Sequence, residues 1–236
     1  MGRYDSVTEA TYPSTVAGAE RITGFLRAVY SWMCVGLALT ALVAFLVAGS
    51  DWARTIATHR GLLFGLFAVQ LGVVITLSAG ASRLAPSTAT LLFLGYSALT
   101  GVTLSYILLV YTGESIATTF FVTAGMFGAL ALYGTSTRRS LAGWSQFLFM
   151  GLIGVVLASL VGLFWHNGAL QFLISFAGVI VFTGLTAYDA QRLKAMALAV
   201  PEERAGSYAI VGALSLYLNF VNLFLSLLRF SGGRRD

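Results

Sequence analysis

This chain has 236 residues, of which 58% are hydrophobic and only 10% are charged, and its formal net charge is +5. Soluble domains carry about 25% charged residues, so the composition excludes an ordinary soluble fold and predicts an integral membrane protein whose first partner is the lipid bilayer. The cationic excess lies at the ends of apolar runs, where it reports membrane topology and does not indicate a nucleic-acid partner.

Seven apolar runs follow one another along the chain, and each is close to the 20 or so residues that a helix needs to cross a bilayer core of about 30 Å. We expect all-α spans near 28–48, 61–80, 88–110, 115–134, 145–165, 169–188 and 208–228, none of which contains Asp, Glu, Lys or Arg. They form one predicted domain, residues 21–230, between a mobile polar tail, residues 1–20, and a C-terminal tail, residues 231–236.

The connections between the spans set expectations for packing and topology. Those at 111–114 and 166–168 are short, so spans 3 and 4, and likewise 5 and 6, should be antiparallel neighbours. More Arg and Lys residues lie on the side of the N-terminus than on the opposite side, which predicts a cytoplasmic N-terminus. The basic C-terminal end opposes this assignment, unless the last helix fails to cross completely. Glycine pairs such as Gly125/Gly128 and Gly151/Gly154 are interpreted as packing notches.

The last span carries a polar stripe. Its members recur at steps of three and four residues and so share one helical face: Tyr208, Gly212, Ser215, Asn219, Asn222 and Ser226. A continuous polar face cannot lie against lipid, because unsatisfied polar groups in hydrocarbon are costly. Two interpretations stay open: interhelical hydrogen bonding, or the lining of a hydrated path by Tyr208, Ser215, Asn222 and Ser226.

Asp189 is the principal candidate site, because it follows the sixth apolar run directly and a carboxylate at the edge of hydrocarbon is a functional candidate. In one interpretation it pairs with Arg192, one turn away, and residues 189–207 are a basic cytoplasmic loop. In the other it faces the bundle, meets the polar stripe and acts as a proton-sensitive latch, since burial disfavours the ionised form of a carboxyl group. Arg83, on the same predicted side, would supply the counter-charge.

Enzymatic chemistry has little support in the sequence. No second carboxylate lies in a span, as aspartyl proteolysis within the membrane requires. His59 and His166 lie in loops without further metal ligands, so we expect no stable metal, no cofactor and no enzyme. Glu114 opens the fourth span, where it suits the helix dipole or serves as a mouth charge that concentrates cations. Cys34 is expected to be a core-packing residue.

Several stretches together carry a resemblance to bacterial members of the Bax inhibitor-1 (transmembrane Bax inhibitor motif) family. They are Phe25–Tyr30, Ala98–Ser105, Ser115–Phe121, Phe182–Asp189 and Leu214–Phe224. The resemblance implies two three-helix layers around a central C-terminal helix, a pH-sensitive calcium leak, and a location in the bacterial inner membrane.

The resemblance also implies a sensor of two aspartates, one ending helix 6 and one in helix 7, with an arginine near the end of helix 2. Asp189 matches the first aspartate and Arg83 the arginine, but Asn219 stands at the second aspartate's position. Asn does not titrate and does not repel a neighbouring carboxylate. We therefore expect pH gating to be weaker or shifted to lower pH.

Three functions follow as hypotheses. The first is a cation leak channel, with calcium as the permeant ion. The second is a membrane interaction protein that modulates a membrane-anchored AAA protease or a stress response, acting through its tail and the 189–207 segment. The third is a transporter or membrane enzyme, for which only the region of Asn219 and Asn222 offers polar groups near the midplane.

Overall fold

The computed structural model describes residues 5–80, 83–165, 167–233 and 235, and over these residues the chain is built from α-helices. The helices are α1 (Asp5–Ala48), α2 (Asp51–Thr58), α3 (Arg60–Gly80), α4 (Pro86–Leu104), α5 (Ile107–Val110), α6 (Gly113–Ser136), α7 (Ser145–Phe164), α8 (Gly168–Ala199) and α9 (Ala205–Ser231). Seven helical segments are long and apolar enough to cross a membrane. The predicted all-α membrane fold is confirmed.

Two helices extend well beyond the predicted spans. α1 begins at Asp5, and whether residues 1–20 form a mobile tail stays a prediction. α8 continues past Asp189 to Ala199, so the predicted loop over 189–207 is wrong and the connection to α9 is short. Residues 190–199 are mostly strong helix formers, which favours this extension. The helix ends at Val200 because Pro201 disfavours helical backbone in the residue before it.

The helices form two layers around α9. One layer contains α1, α3 and α4, with α4 in the middle, and the other contains α6, α7 and α8, with α8 in the middle. α9 packs on α1, α4, α6 and α8. In the apolar 18-residue stretch of its span 61% is buried, against 11–33% in the corresponding stretches of the other six spans. This arrangement confirms the predicted fold with a central C-terminal helix.

Of the two helix pairs predicted to be neighbours from their short connections, one packs together and the other does not. α7 and α8 pack directly on each other, as predicted. In the described part of the chain, however, α4 packs mainly on α1, α3 and α9, whereas α6 packs mainly on α8 and α9. The predicted pairing of spans 3 and 4 is therefore wrong, because α5 and the extended residues Tyr111 and Thr112 lead the chain from one layer to the other.

α9 is tied to the first layer by a buried hydroxyl cluster. The Tyr217 side chain is fully buried, and its hydroxyl lies 2.6 Å from Thr40 Oγ1. Thr40 donates to the Ser97 carbonyl at 2.8 Å. The rings of Phe93 and Tyr96 meet the Tyr217 ring edge-on, with centroids 5.8 and 5.9 Å away. Polar and aromatic contacts therefore hold the centre of α9 against α1 and α4.

The C-terminus is bonded to the end of the bundle opposite Asp189. The Gly233 N–H donates to Ser115 Oγ at 2.9 Å and the Gly233 carbonyl accepts from the Thr112 N–H at 3.2 Å. The Arg235 N–H donates to the Val110 carbonyl at 2.9 Å. α9 thus traverses the whole bundle, and the alternative of an incompletely crossing last helix is wrong.

Small residues allow α6 and α8 to touch, though the sequence pointed to the wrong ones. A Cβ atom at Gly134 would overlap the Ala187 carbonyl of α8. By contrast, a Cβ atom at Gly125 or Gly128 would meet no atom of another described helix within 4 Å, so the prediction of a packing notch there is wrong. Gly151 does pack, against Val181, but its predicted companion Gly154 does not.

We predict that Gly134→Leu destabilises the protein, because the added side chain pushes the α6 backbone away from the Ala187 carbonyl of α8. Overpacking of this kind costs about 1–3 kcal/mol, which corresponds to a fall of several degrees in Tm for a chain of this size. Thermal unfolding in detergent measures it. Gly125→Leu on the same helix is the control and should leave Tm nearly unchanged. Equal Tm values for the two variants would contradict this packing.

Candidate functional site

The Asp189 carboxylate is buried where α8 meets α9. Its side chain is only 8% exposed. Oδ2 accepts a hydrogen bond from Asn219 Nδ2 at 2.8 Å and a second from Ser215 Oγ at 3.2 Å. Ser215 and Asn219 are four residues apart on α9 and therefore project from one face of that helix. The structure thus brings Asp189 to the polar stripe.

Neither cationic residue predicted to pair with Asp189 is hydrogen-bonded to it in the described structure. Arg192 is exposed, and the hydrogen bonds that Asp189 accepts from the described residues come from Asn219 and Ser215. The predicted interpretation as an Arg192 ion pair is therefore not realised in this conformation. Arg83 is exposed in the turn between α3 and α4. Its role as the counter-charge of Asp189 stays a prediction.

A small cavity adjoins the carboxylate. Its volume is about 40 Å³, and it is lined from α8 and α9 by Asp189, Arg192, Leu193, Met196, Val211, Gly212 and Ser215. Both hydrogen bonds from α9 go to Oδ2, and Oδ1 accepts none from the described residues. Oδ1 is therefore the oxygen available to whatever occupies the cavity. The volume is enough for about three water molecules, at 10–15 Å³ each.

Two further side chains of the polar stripe, Asn222 and Ser226, donate hydrogen bonds to carbonyls of α9 itself. Asn222 Nδ2 donates to the Leu218 carbonyl at 2.8 Å, and Ser226 Oγ donates to the Asn222 carbonyl at 2.7 Å. Tyr208 is half-buried near the start of the helix. A path lined by Tyr208, Ser215, Asn222 and Ser226 stays a prediction. What the structure shows is a hydrogen-bonded contact between α8 and α9 in which Ser215 and Asn219 take part.

Glu114 and His59 lie at the end of the bundle opposite Asp189. Glu114 is exposed in the first turn of α6, where Thr112 Oγ1 caps the helix by accepting from the Ser115 N–H at 3.3 Å. His59 is exposed and its Nδ1 lies 2.9 Å from the Thr55 carbonyl. His166 lies outside the described residues. Among those described, no three His, Cys, Asp or Glu side chains come together as metal ligands would. Cys34 is exposed, so its prediction as a core residue is wrong.

The extended end of α8 is fixed by contacts that the sequence did not reveal. Gln191 donates from Nε2 to the Arg139 carbonyl at 2.9 Å and accepts from the Leu141 N–H at 2.8 Å. Lys194 Nζ donates to the Thr135 carbonyl at 2.7 Å. The Arg21 guanidinium donates to the Val200 carbonyl, which caps the helix. These long-range bonds fix the position of Asp189, and no spacing rule in the sequence could have identified them.

Comparison with known proteins gives consistent matches over nearly the whole chain. The profile of the family described as "Inhibitor of apoptosis-promoting Bax1" matches residues 22–236. The inner membrane protein YbhL of Escherichia coli (strain K12) is 52% identical over 215 residues, covering 89% of this chain and 92% of YbhL. The uncharacterized protein RP147 of Rickettsia prowazekii is 40% identical over 218 residues, covering 92% of each chain.

We predict that Asn219→Ala lowers stability more than Asn222→Ala does. The first change removes the shorter of the two hydrogen bonds to a buried carboxylate, and hydrogen bonds to charged groups contribute about 1.5–3 kcal/mol. The second removes only a bond to a carbonyl of its own helix, a neutral interaction of about 1 kcal/mol. Thermal unfolding in detergent at pH 8 measures both.

A third substitution, Asp189→Asn, tests whether the carboxylate is the cause. If the carboxylate is responsible for the loss, Asn219→Ala should cost less when Asp189 is already Asn, as a double-mutant cycle shows. Additive effects of the two substitutions would contradict a direct contact.

Proposed function

Since this chain belongs to the Bax inhibitor-1 family, we propose that it is a cation leak channel of the bacterial inner membrane, with calcium as the permeant ion and Asp189 as the group that controls passage. The multi-pass fold suits a membrane channel. A cytoplasmic N-terminus, as the positive-inside rule predicts, would put Asp189 at the cytoplasmic end of the bundle.

The observation that supports this proposal is the state of the Asp189 carboxylate. It is buried, Oδ2 accepts hydrogen bonds from two neutral donors, Oδ1 accepts none from the described residues, and a cavity adjoins the side chain. A buried carboxylate without a bonded counter-charge attracts cations, and calcium in particular binds carboxylate oxygens. Proteins seldom keep such a group for stability alone, because its desolvation is costly.

The proposed latch works through the contact between α8 and α9. When Asp189 is ionised, Asn219 and Ser215 donate to it and hold α9 against α8. When Asp189 is protonated, its carboxyl O–H can donate a hydrogen bond to Asn219 Oδ1, once the Asn219 amide has turned by 180°. The pair is therefore satisfied in either state, so we expect the wild-type leak to depend only weakly on pH. Arg83 would approach Asp189 in another conformation.

On this proposal the remaining polar residues serve the pathway. When α9 moves, the pathway would be lined by side chains that share the face of Asn219, namely Tyr208, Ser215, Asn222 and Ser226. Glu114, exposed at the opposite mouth, would raise the local concentration of cations there.

Calcium uptake into liposomes loaded with an indicator, at pH 6, 7 and 8, tests the proposal. Asp189→Asn should reduce uptake by about tenfold, because it removes a charge-assisted contact with the cation. Asn219→Asp should make uptake vary severalfold between pH 6 and 8, because two carboxylates so close cannot both ionise. Asn222→Asp, which adds a carboxylate one turn away on the same face, is the control.

Two results would count against the channel. Wild-type uptake no faster than that of protein-free liposomes at every pH would exclude a leak as the primary function. A response of Asn222→Asp equal to that of Asn219→Asp would show that position 219 has no special relation to Asp189.

A second function is favoured by the length of α1 and α8. Both helices are longer than a bilayer requires, and the Arg21 contact with Val200 joins their extended ends. This protruding surface suits an interaction protein that modulates a membrane-anchored AAA protease or a stress response. Deleting residues 1–20 should then abolish the interaction while calcium uptake stays within about twofold of the wild type, since Asp189 keeps its partners. Loss of both together would contradict a separate role for the tail.

A further inference from the structure

The cavity beside Asp189 is a cleft that reaches the surface of the protein, because the exposed Arg192 and the half-exposed Met196 and Val211 line it. All of its lining residues belong to α8 and α9, and Arg192 among them is exposed. The Asp189 carboxylate lies at its floor, whereas Arg192, Met196 and Val211 lie at its exposed or half-exposed rim. The cleft therefore offers an acidic floor and a basic rim to the surroundings of the protein.

The depth of the cleft corresponds to the lipid headgroup region. The apolar run of α8 ends at Tyr188, and the basic residues Arg192 and Lys194 follow. Arg138 and Arg139 are exposed at the same end of the bundle, where Lys194 bonds to the last turn of α6 and Gln191 bonds to the connection between α6 and α7. Tyrosine next to basic residues is typical of a membrane–water interface.

The charges of the cleft complement a zwitterion. Asp189 and Arg192 are three residues apart on α8, and side chains at that spacing are about 5–6 Å apart at their Cβ atoms. Ethanolamine phospholipids carry an ammonium group and a phosphate separated by two carbons, which is a similar distance. Ser215 and Asn219 occupy Oδ2, which leaves Oδ1 for an incoming donor.

We propose that this cleft binds the headgroup of a phospholipid with a primary ammonium group. The ammonium donates to Asp189 Oδ1 and the phosphate accepts from the Arg192 guanidinium, while the acyl chains stay in the bilayer beside Met196 and Val211. A primary ammonium can donate a hydrogen bond to Asp189 Oδ1 in the cavity beside it, whereas a trimethylammonium group has no N–H to donate. The site therefore selects phosphatidylethanolamine over phosphatidylcholine, and this selection does not depend on whether the protein conducts ions.

The headgroup series that tests this proposal keeps the acyl chains constant. Delipidated protein in detergent with EDTA, which removes competing divalent cations, is titrated with phosphatidylethanolamine, its N-methyl and N,N-dimethyl derivatives, and phosphatidylcholine. Bound lipid is counted by native mass spectrometry, and Tm is followed by tryptophan fluorescence. We expect affinity to fall with each methyl group, with phosphatidylcholine binding at least about tenfold more weakly than phosphatidylethanolamine.

The variants separate the two contacts. Asp189→Asn should abolish the preference for phosphatidylethanolamine over phosphatidylcholine, because it removes the charge that attracts the ammonium. Arg192→Gln should weaken both lipids alike, because it removes the phosphate contact. Arg138→Gln, an exposed arginine at the same end outside the cleft, is the matched control and should change neither.

Three outcomes would overturn the proposal. The first is equal binding of phosphatidylethanolamine and phosphatidylcholine by the wild type. The second is an undiminished preference for phosphatidylethanolamine in Asp189→Asn. The third is a rise in Tm with soluble phosphoethanolamine as large as the rise with the lipid. The last would assign the cleft to a free amine. Because the readouts are lipid count and Tm, a protein that fails to conduct calcium can still bind the lipid, and a conducting protein can fail to bind it.

Discussion

Burial of the polar face of α9 is the constraint on which the rest of this structure depends. A helix with Ser215, Asn219, Asn222 and Ser226 on one face cannot lie against lipid, because hydrocarbon offers no hydrogen-bonding partner. It is stable only with other helices around it. The two layers supply that surrounding, and the outermost helices α3 and α7 can remain nearly uniformly apolar.

α9 is held differently on its two sides. Toward the first layer, the Tyr217 hydroxyl bonds to Thr40, a neutral contact enclosed by aromatic rings. Toward the second layer, Asn219 and Ser215 bond to the carboxylate of Asp189. Only the second contact includes a group that can change its charge. Any response of the helix to protons or cations at these two contacts therefore begins between α8 and α9, while the side facing α1 and α4 serves as the fixed support.

Much of the fold and part of the site around Asp189 could be predicted from residue patterns. The predictions that were wrong have physical causes. Apolar run length revealed the seven spans, and three- and four-residue spacing revealed the polar face of α9. The layered arrangement came from the family resemblance and not from periodicity. Gly125 and Gly134 look alike in sequence, but only Gly134 meets another backbone, since a notch depends on which face its helix turns inward. The long-range bonds of Gln191 and Arg21 join residues about 50 and 179 positions apart, a separation that local patterns cannot report.

The central position of α9 has a consequence for biosynthesis, because the helix that both layers enclose is made after the other six spans. Ribosomes add about 5–20 residues per second, so the 27 residues of α9 take about 1–5 s to appear after six spans have already entered the bilayer. During that interval Asp189 lacks Asn219 and Ser215, and the two layers lack their common core. The six earlier spans must therefore remain without their central helix until α9 has been made.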